Sequence, residues 1–349
     1  MRIAQIAPLW ERVPPFRYGG IELIVSLLTD ELVRRGHEVT LFASGDSITK
    51  AHLKSVHEKA LRLDTNIKEP GLYEQRLLGE IYNHVDEFDI IHSHVGCAAL
   101  VCSSLVKTPT LHTLHGIFTP DNAKLFRQFA SQPYSSITNA QREPSLGLNY
   151  VHTIYNGIRT EDYAFQAKAD SPSYLAFVGR ISPEKGPQNA IAIARETGLP
   201  LKMAGKVDLV DQAFYEEQIK PLIDGEQIQY LGEVTHKAKV QLLAEAAVTL
   251  FPITWREPFG LVMIESMATG TPVIGMALGS VPEIIDQGKT GFVCQTLKEM
   301  IASIPAALQL DRQKCRDWVV SRFSVAQMTD EYEVAYQKVL GQLNSVVSE

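Results

Sequence analysis

The sequence predicts an α/β fold with two Rossmann-like, doubly wound parallel-sheet domains facing a cleft. Strand-like and helix-like segments alternate along nearly the whole chain, a pattern that sets a parallel sheet between layers of helices. The periodicity fades from Asn156 to Ser173, where polar residues, Ala and Pro172 dominate, and a similar series begins again at Tyr174. That break reads as a linker between domains. At 349 residues the chain is long enough for two separate cores.

In the first series, Arg2 to Pro8 reads as a strand. Residues 21–35 follow with helical periodicity, Leu23, Leu27, Leu28 and Leu32 inward and Glu22, Asp30 and Arg34 outward. Gly36 ends this helix, and His37 to Ala43 is the next strand. A helix is expected over 73–85, and β-rich runs over 89–95, 110–115, 135–139 and 151–155. The second series has strands at 174–179, 201–204, 227–231, 248–252, 272–276 and 291–294. Its helices fit at 187–196, 212–223, 237–247 and 261–268, and an amphipathic helix covers 325–343. The expected domains are therefore 1–156 and 172–324. Ligands of such sheets bind at the carboxyl ends of the strands, so functional motifs belong in the strand-to-helix loops.

Composition narrows the class. The net charge of −7 argues against a nucleic-acid binder, which presents a basic face. Four cysteines without Cys-x-x-Cys spacing fit reduced thiols of a cytoplasmic protein. The N-terminus is too short and polar in its apolar run for a signal peptide, and no run approaches a membrane span.

The most telling motif is Glu257 and Glu265, set in the apolar stretch from Trp255 to Glu265. Carboxylates in such surroundings are costly to bury without partners. Pro258 suits a first helical position and Gly260 allows close approach of a ligand to the backbone. A helix starting near Phe259 would aim free N–H groups at an anion, with Glu257 outside its start and Glu265 more than a turn in. A ligand with an anionic middle and hydroxyls at both ends, such as a sugar nucleotide, suits that arrangement.

Two further loops fit phosphate. Arg17-Tyr18-Gly19-Gly20 precedes a helix, and its adjacent glycines would let the backbone approach phosphate. A tight turn accounts for it equally well. It is not the Gly-x-Gly-x-x-Gly fingerprint, which removes the main support for a dehydrogenase. Arg180 and Lys185 bracket the turn after the strand ending at Gly179, where a planar fork and a point charge could neutralise a diphosphate. Two solvated surface cations are the bland alternative, and the strand-end position favours function.

His115 ends a strand on the expected cleft side, which favours a catalytic or sugar-binding role over a structural loop histidine. His92 and His94 share one strand face, but no third metal ligand is evident, so they and His112 read as structural. Leu231 to Thr235, including Val234, forms a strand-end turn whose backbone could pair with a base edge. Gly279 to Glu283 is a weak signal for another turn opening a helix. The segment Lys124 to Phe129 reads as an amphipathic helix in preference to a membrane or acceptor contact.

Taken in order, these residues resemble the retaining GT-B glycosyltransferases of family 4. The most specific part is the Glu-x7-Glu spacing, supported by Gly179-Arg180 with Lys185, by Tyr18-Gly19-Gly20 and by Asn156-Gly157. The N-terminal stretch and residues 113–121 further resemble cyanobacterial polysaccharide-forming members of the heterocyst-envelope type. The resemblance implies that Arg180 and Lys185 hold the donor diphosphate, with Gly19 and Gly20 closing over it. Glu265 would bind the ribose hydroxyls. Glu257, with the N–H groups of Phe259, Gly260 and Leu261, would face the transferred sugar, and His115 would contact it near the reacting centre. The last helix, 325–349, is expected to cross back onto the first domain.

The activity implied is transfer of a hexose, glucose from UDP-glucose, to a glycan or lipid-linked acceptor in polysaccharide biosynthesis, with front-face attack and retention. No cofactor is expected, and the lack of an Asp-x-Asp motif implies metal-independent chemistry. The location implied is cytoplasmic, with room for peripheral contact with the inner membrane surface. A sugar-nucleotide epimerase on the same scaffold and a non-catalytic nucleotide-sugar-binding protein are the rival readings. The Glu-x7-Glu spacing speaks against the first, and the full set of site residues against the second.

Overall fold

The computed structural model describes residues 1–17, 19–169 and 174–346. Tyr18 of the glycine loop, the end of the expected linker and the last three residues of the expected final helix lie outside the described residues. The chain divides into two compact units, one of 1–157 with 325–349 and one of 158–324.

The first unit is built on seven strands: β1 (Arg2–Ile6), β2 (Glu38–Phe42), β3 (His52–Lys54), β4 (Ile90–Ser93), β5 (Thr110–Leu114), β6 (Pro133–Ser136) and β7 (Asn149–Thr153). All pairs are parallel, in the order β3-β2-β1-β4-β5-β6-β7. Four longer helices belong to it: α1 (Gly20–Arg34), α2 (Pro70–Tyr82), α3 (Pro120–Gln128) and α9 (Val325–Val346). Ala4, Ile6, Phe42 and Ile91 from the central strands pack with Leu77, Leu78 and Ile81 of α2. Strands buried on both faces need such near-continuous apolar runs. The final helix α9 completes this unit, with Tyr332 and Tyr336 fully buried.

The second unit has six parallel strands: β8 (Leu175–Val178), β9 (Leu201–Ala204), β10 (Ile228–Tyr230), β11 (Val248–Phe251), β12 (Val273–Met276) and β13 (Gly291–Cys294). Their order is β10-β9-β8-β11-β12-β13. The longer helices are α4 (Pro187–Thr197), α5 (His236–Glu245), α6 (Leu261–Ala268), α7 (Leu297–Ala307) and α8 (Arg312–Arg322). Phe177, Met203, Val248 and Leu250 from the sheet meet Ile191 and Ala194 of α4 and Met300 and Ile304 of α7. Strand order reverses beside β1 in the first unit and beside β8 in the second, and open α/β sheets bind ligands outside the strand ends at such points.

Several expectations need correction. Residues 158–169 are not a linker. The N–H of Ile158 donates to Phe323 (2.8 Å), that of Gln166 donates to Thr269 (3.0 Å), and Tyr163 is buried. Their polar composition reflects hydrogen bonding into the second unit. Glu22 is buried in the first turn of α1, not turned outward, whereas Leu23 is only half-buried. The helix expected over 73–85 runs from Pro70 to Tyr82, since Pro is preorganised for a first turn. The single helix expected over 212–223 is instead a short α turn, a π turn over Tyr215–Ile219 and a 3-10 turn over Lys220–Leu222. Pro221 has no N–H to continue a regular ladder.

Candidate functional site

In the second unit, the loops after β8 and β11 lie side by side at the reversal point of the sheet. The β8 loop passes very close to its neighbour. A Cβ on Gly205, after β9, would fall 1.7 Å from the carbonyl oxygen of Gly179, so only glycine fits there. Arg180 follows directly. Its Nη2 donates to Glu184 at 2.6 Å and its Nη1 lies 3.5 Å from Asp208. Lys206 also pairs with Asp208, at 2.9 Å. The guanidinium is thus aimed by two carboxylates on separate loops.

Lys185 closes the same turn, next to Gly186 with φ of 73°. A Cβ at Gly186 would lie 2.1 Å from the carbonyl oxygen of Pro252, which locks the β8 turn against the end of β11. This brings Lys185 to Glu257, and its Nζ donates to the carboxylate. Trp255 Nε1 donates to the same oxygen, Oε2, at 3.0 Å, and its ring lies 4.8 Å from the Lys185 ammonium. Glu257 is buried, and the partners that make this tolerable come from two loops.

Helix α6 runs over Leu261–Ala268, the span expected for it, and starts just past the Phe259 position expected for the anion site, with Gly260 at φ 78° as its N-cap. The first helical N–H groups have no intrahelical acceptor, which fits them for an anion. Glu265, just over a turn in, is 3% exposed. Its Oε1 accepts from Tyr163 Oη at 2.9 Å and from Lys239 Nζ at 2.5 Å. Sequence reasoning missed Tyr163, Lys239 and Trp255. The first two are far from Glu265 along the chain, and no local pattern marks them.

The turn at Gly279 and Ser280 braces this site. A Cβ on Gly279 would lie 2.3 Å from the carbonyl oxygen of Glu257 and 2.5 Å from its nitrogen. Ser280 N donates to that carbonyl at 2.9 Å, and Ser280 Oγ donates to the carbonyl of Phe259 at 2.7 Å. The weak sequence signal at 279–283 thus marks the clamp that holds the 257–260 loop. Val234 sits between β10 and α5, its half-buried side chain packed against the Ala204, Leu242 and Leu243 cluster.

In the first unit, His115 follows β5, and its Nε2 lies 2.9 Å from Nδ1 of His94. Burial lowers its pKa to about 4. His94 and His115 line a cavity of about 300 Å³ whose other walls include Ile21, Glu74, Val95, Phe118, Asn122 and Phe126. His92 and His112 are buried and hydrogen-bonded, His112 to Ser103 at 3.2 Å. Gly19, at φ 151°, caps α1, where Gly20 is the first residue. A Cβ there would lie 2.6 Å from Pro15 Cβ and 3.1 Å from Glu22 Oε2. The loop's own packing therefore requires glycine, and the start of α1 already carries the acidic Glu22.

Comparison with known proteins follows the same division of the chain. The family model described as glycosyltransferase family 4 matches residues 18–162, and that described as glycosyl transferases group 1 matches residues 158–319. Together they pass through both sheets. The chain carries the two domains of a GT-B glycosyltransferase. An uncharacterized glycosyltransferase of Methanocaldococcus jannaschii is 26% identical over 83% of this chain and 84% of its own length. The GT-B fold also aligns with sucrose-phosphate synthase from Thermosynechococcus elongatus at a TM-score of 0.80, with 17% identity over 98% and 99% of the two chains. HepE from Anabaena in complex with UDP-glucose aligns at 0.72, with 18% identity over 99% and 100%. In this GT-B chain the candidate residues Arg180, Lys185 and Glu257 lie within the group 1 match, on the β8 and β11 loops described above.

Proposed function

We propose that this glycosyltransferase moves a hexose, glucose from UDP-glucose, to a glycan or lipid-linked acceptor with retention of anomeric configuration, in polysaccharide biosynthesis. The observation that carries the reading is the pair of buried carboxylates, Glu257 and Glu265, flanking the start of α6, with Lys185 of the β8 turn paired to Glu257. The similarity to a HepE complex holding UDP-glucose supports the choice of donor.

Cleavage of the sugar–phosphate bond leaves negative charge on the diphosphate and positive character on the sugar. Arg180, Lys185 and the N–H groups of Phe259, Gly260 and Leu261 would take up the former, and one preorganised donor of this kind lowers the barrier by about 2.7–4 kcal/mol. Glu257 and His115 would face the sugar, Glu265 the ribose hydroxyls, and the Val234 backbone the base. Gly19 and Gly20 would approach the phosphates. Neither carboxylate is placed as a free nucleophile, since each is held by a lysine and a second donor. Attack by the acceptor from the leaving-group face is the consistent route. The chemistry is proposed to need no metal or cofactor, and full activity in excess chelator is the expected result.

The cavity beside His115 is walled by aliphatic and aromatic side chains with Glu74 and Asn122 among them. It suits an acceptor with an apolar face and a few hydroxyls. A cytoplasmic location is part of the same proposal and rests on four free cysteines. Among the described residues no helix is long and apolar enough to cross a membrane.

Calorimetric titration with UDP-, GDP- and ADP-sugars tests the donor, and tighter binding of a GDP-sugar would overturn it. Incubation of labelled UDP-glucose with glycan and lipid extracts tests transfer. Conversion of the donor alone would point to an epimerase, and binding without turnover to a sensor.

A further inference from the structure

Inside the first unit, buried polar side chains from β1, β4, β5 and α9 form a continuous hydrogen-bonded chain that ends at His115. Gln5, His92, His94, Thr113, Tyr332 and Tyr336 are each no more than 2% exposed. In such a place every donor and acceptor must find a partner, and this constrains where the protons sit.

Gln5 Nε2 donates to Tyr336 Oη at 3.1 Å. The other end of the same amide, Oε1, lies 2.9 Å from His94 Nε2. A carbonyl oxygen can only accept, so His94 Nε2 carries hydrogen. Burial drives the His94 pKa well below its ordinary value, which keeps the ring neutral. A neutral imidazole has one N–H, so His94 Nδ1 is a bare lone pair. His115 Nε2, 2.9 Å from that lone pair, must donate. His115 is itself neutral through burial, so its Nδ1 is left as an acceptor. At the far end, Tyr336 Oη donates to His92 Nδ1 at 2.7 Å, and His92 Nε2 donates to Thr113 Oγ1 at 2.7 Å. Thr113 in turn lies 3.2 Å from Tyr332 Oη. Each group in the series has a role consistent with its neighbours.

We propose that Gln5 and His94 are positioning residues that lock His115 as its Nε2–H tautomer, so that Nδ1 is held as a hydrogen-bond acceptor for a hydroxyl of the sugar substrate. This rests on the reading that His115 contacts the transferred sugar. Among the described residues Nδ1 has no protein partner, and His115 lines the cavity. An electron pair there suits a sugar that gains positive character as its bond to phosphate breaks, whereas an imidazolium would oppose it. The lock is electrically neutral throughout, which distinguishes it from a carboxylate partner that would raise the basicity of the ring.

Nitrogen–proton correlation spectra of histidine-labelled protein read the tautomer directly and need no variant. The expected result for His115 near neutral pH is a protonated Nε2 and a bare Nδ1. A protonated Nδ1, or a charged ring, would overturn the proposal whatever reaction the enzyme catalyses. Gln5→Met removes the carbonyl without removing bulk. It is expected to give His115 a mixed tautomer and to lower kcat about tenfold, with KM for the nucleotide sugar changed less than about twofold, in line with groups that orient an active-site imidazole. An altered tautomer with unchanged kcat would also overturn it. Full turnover by His115→Ala would sink the sugar-contact reading instead, and the catalytic consequence with it, while the spectroscopic assignment would stand.

Discussion

The ammonium of Lys185 and the carboxylate of Glu257 are paired, joining the turn after β8 to the loop after β11. Among the described residues, Lys185→Met should leave the buried Glu257 carboxylate with the Trp255 donor alone. We expect a loss of about 2 kcal/mol, below the ~3–5 kcal/mol of a fully buried pair because Lys185 retains some contact with solvent. Adding Glu257→Gln should recover part of that loss. Urea denaturation of the two single variants and the double variant measures it, and strictly additive losses would show that the pair is not coupled.

Arg180→Ala is expected to cut turnover by about 100-fold, in the range of a lost transition-state donor. Its stability should change by less than about 1 kcal/mol, because the ion pairs to Glu184 and Asp208 are partly exposed. Parallel measurement of kcat and urea midpoint decides the case, and a fully active variant would make Arg180 a surface charge only.

Tyr163→Phe deletes one of the two donors to Glu265 Oε1 while keeping the ring. The expected cost is about 1–3 kcal/mol, since a hydrogen bond to a buried charged group is lost. Weaker donor binding should accompany it if Glu265 then shifts. A calorimetric Kd and a denaturation curve check both effects.

Gly279→Ala would set a methyl group 2.3 Å from the carbonyl oxygen of Glu257, and at φ 59°. The 257–260 loop must then move. Misplacement of about 1 Å at a reacting centre costs about 100-fold in rate, so a loss of that size with retained cooperative unfolding is the expected outcome.

Acid should destabilise the first unit. His115 and His112 are held at about 4 and about 3, below the ordinary value of 6.5, because burial disfavours their charged forms. His92 and His94 lie well below it for the same cause, with neighbouring histidines adding to it. Between the folded and ordinary values the unfolded chain binds more protons, so stability rises with pH in that window. It is fully present above 6.5 and is lost as pH falls through the folded values. Urea midpoints measured from neutral pH downward should fall with a slope of more than one proton, and a flat profile would contradict the burial of these rings.

Much of the architecture could be read from the chain because parallel strands need apolar runs and their helices need a 3.6-residue period, and both signals are local. Glu257 and Glu265 were recognisable for a similar reason, since their spacing across a glycine-capped helix start is a local fact. What closes around them is not local. Lys239 and Tyr163 reach Glu265 from distant segments, and the polar composition of 158–169 hid a stretch that packs and hydrogen-bonds within the second unit. Glu22 misled because helical periodicity assigns a charged residue to the outer face, whereas the loop at Gly19 folds over it. The irregular turns over 212–222 defeat a period-based reading, since a π turn and Pro221 both break the 3.6-residue repeat.

The closing helix α9 has a consequence for how the chain is made. Tyr332 and Tyr336, near its centre, are fully buried against Gln5, His92 and Thr113. Emerging from the ribosome, the second unit is complete when Ser324 appears, while the earlier-born sheet still lacks its covering layer. The oldest part of the polypeptide is therefore the last to become fully native, and a premature stop ahead of Val325 would leave Gln5, His92 and Thr113 without the tyrosines that cover them, in a sheet open to chaperones or proteases.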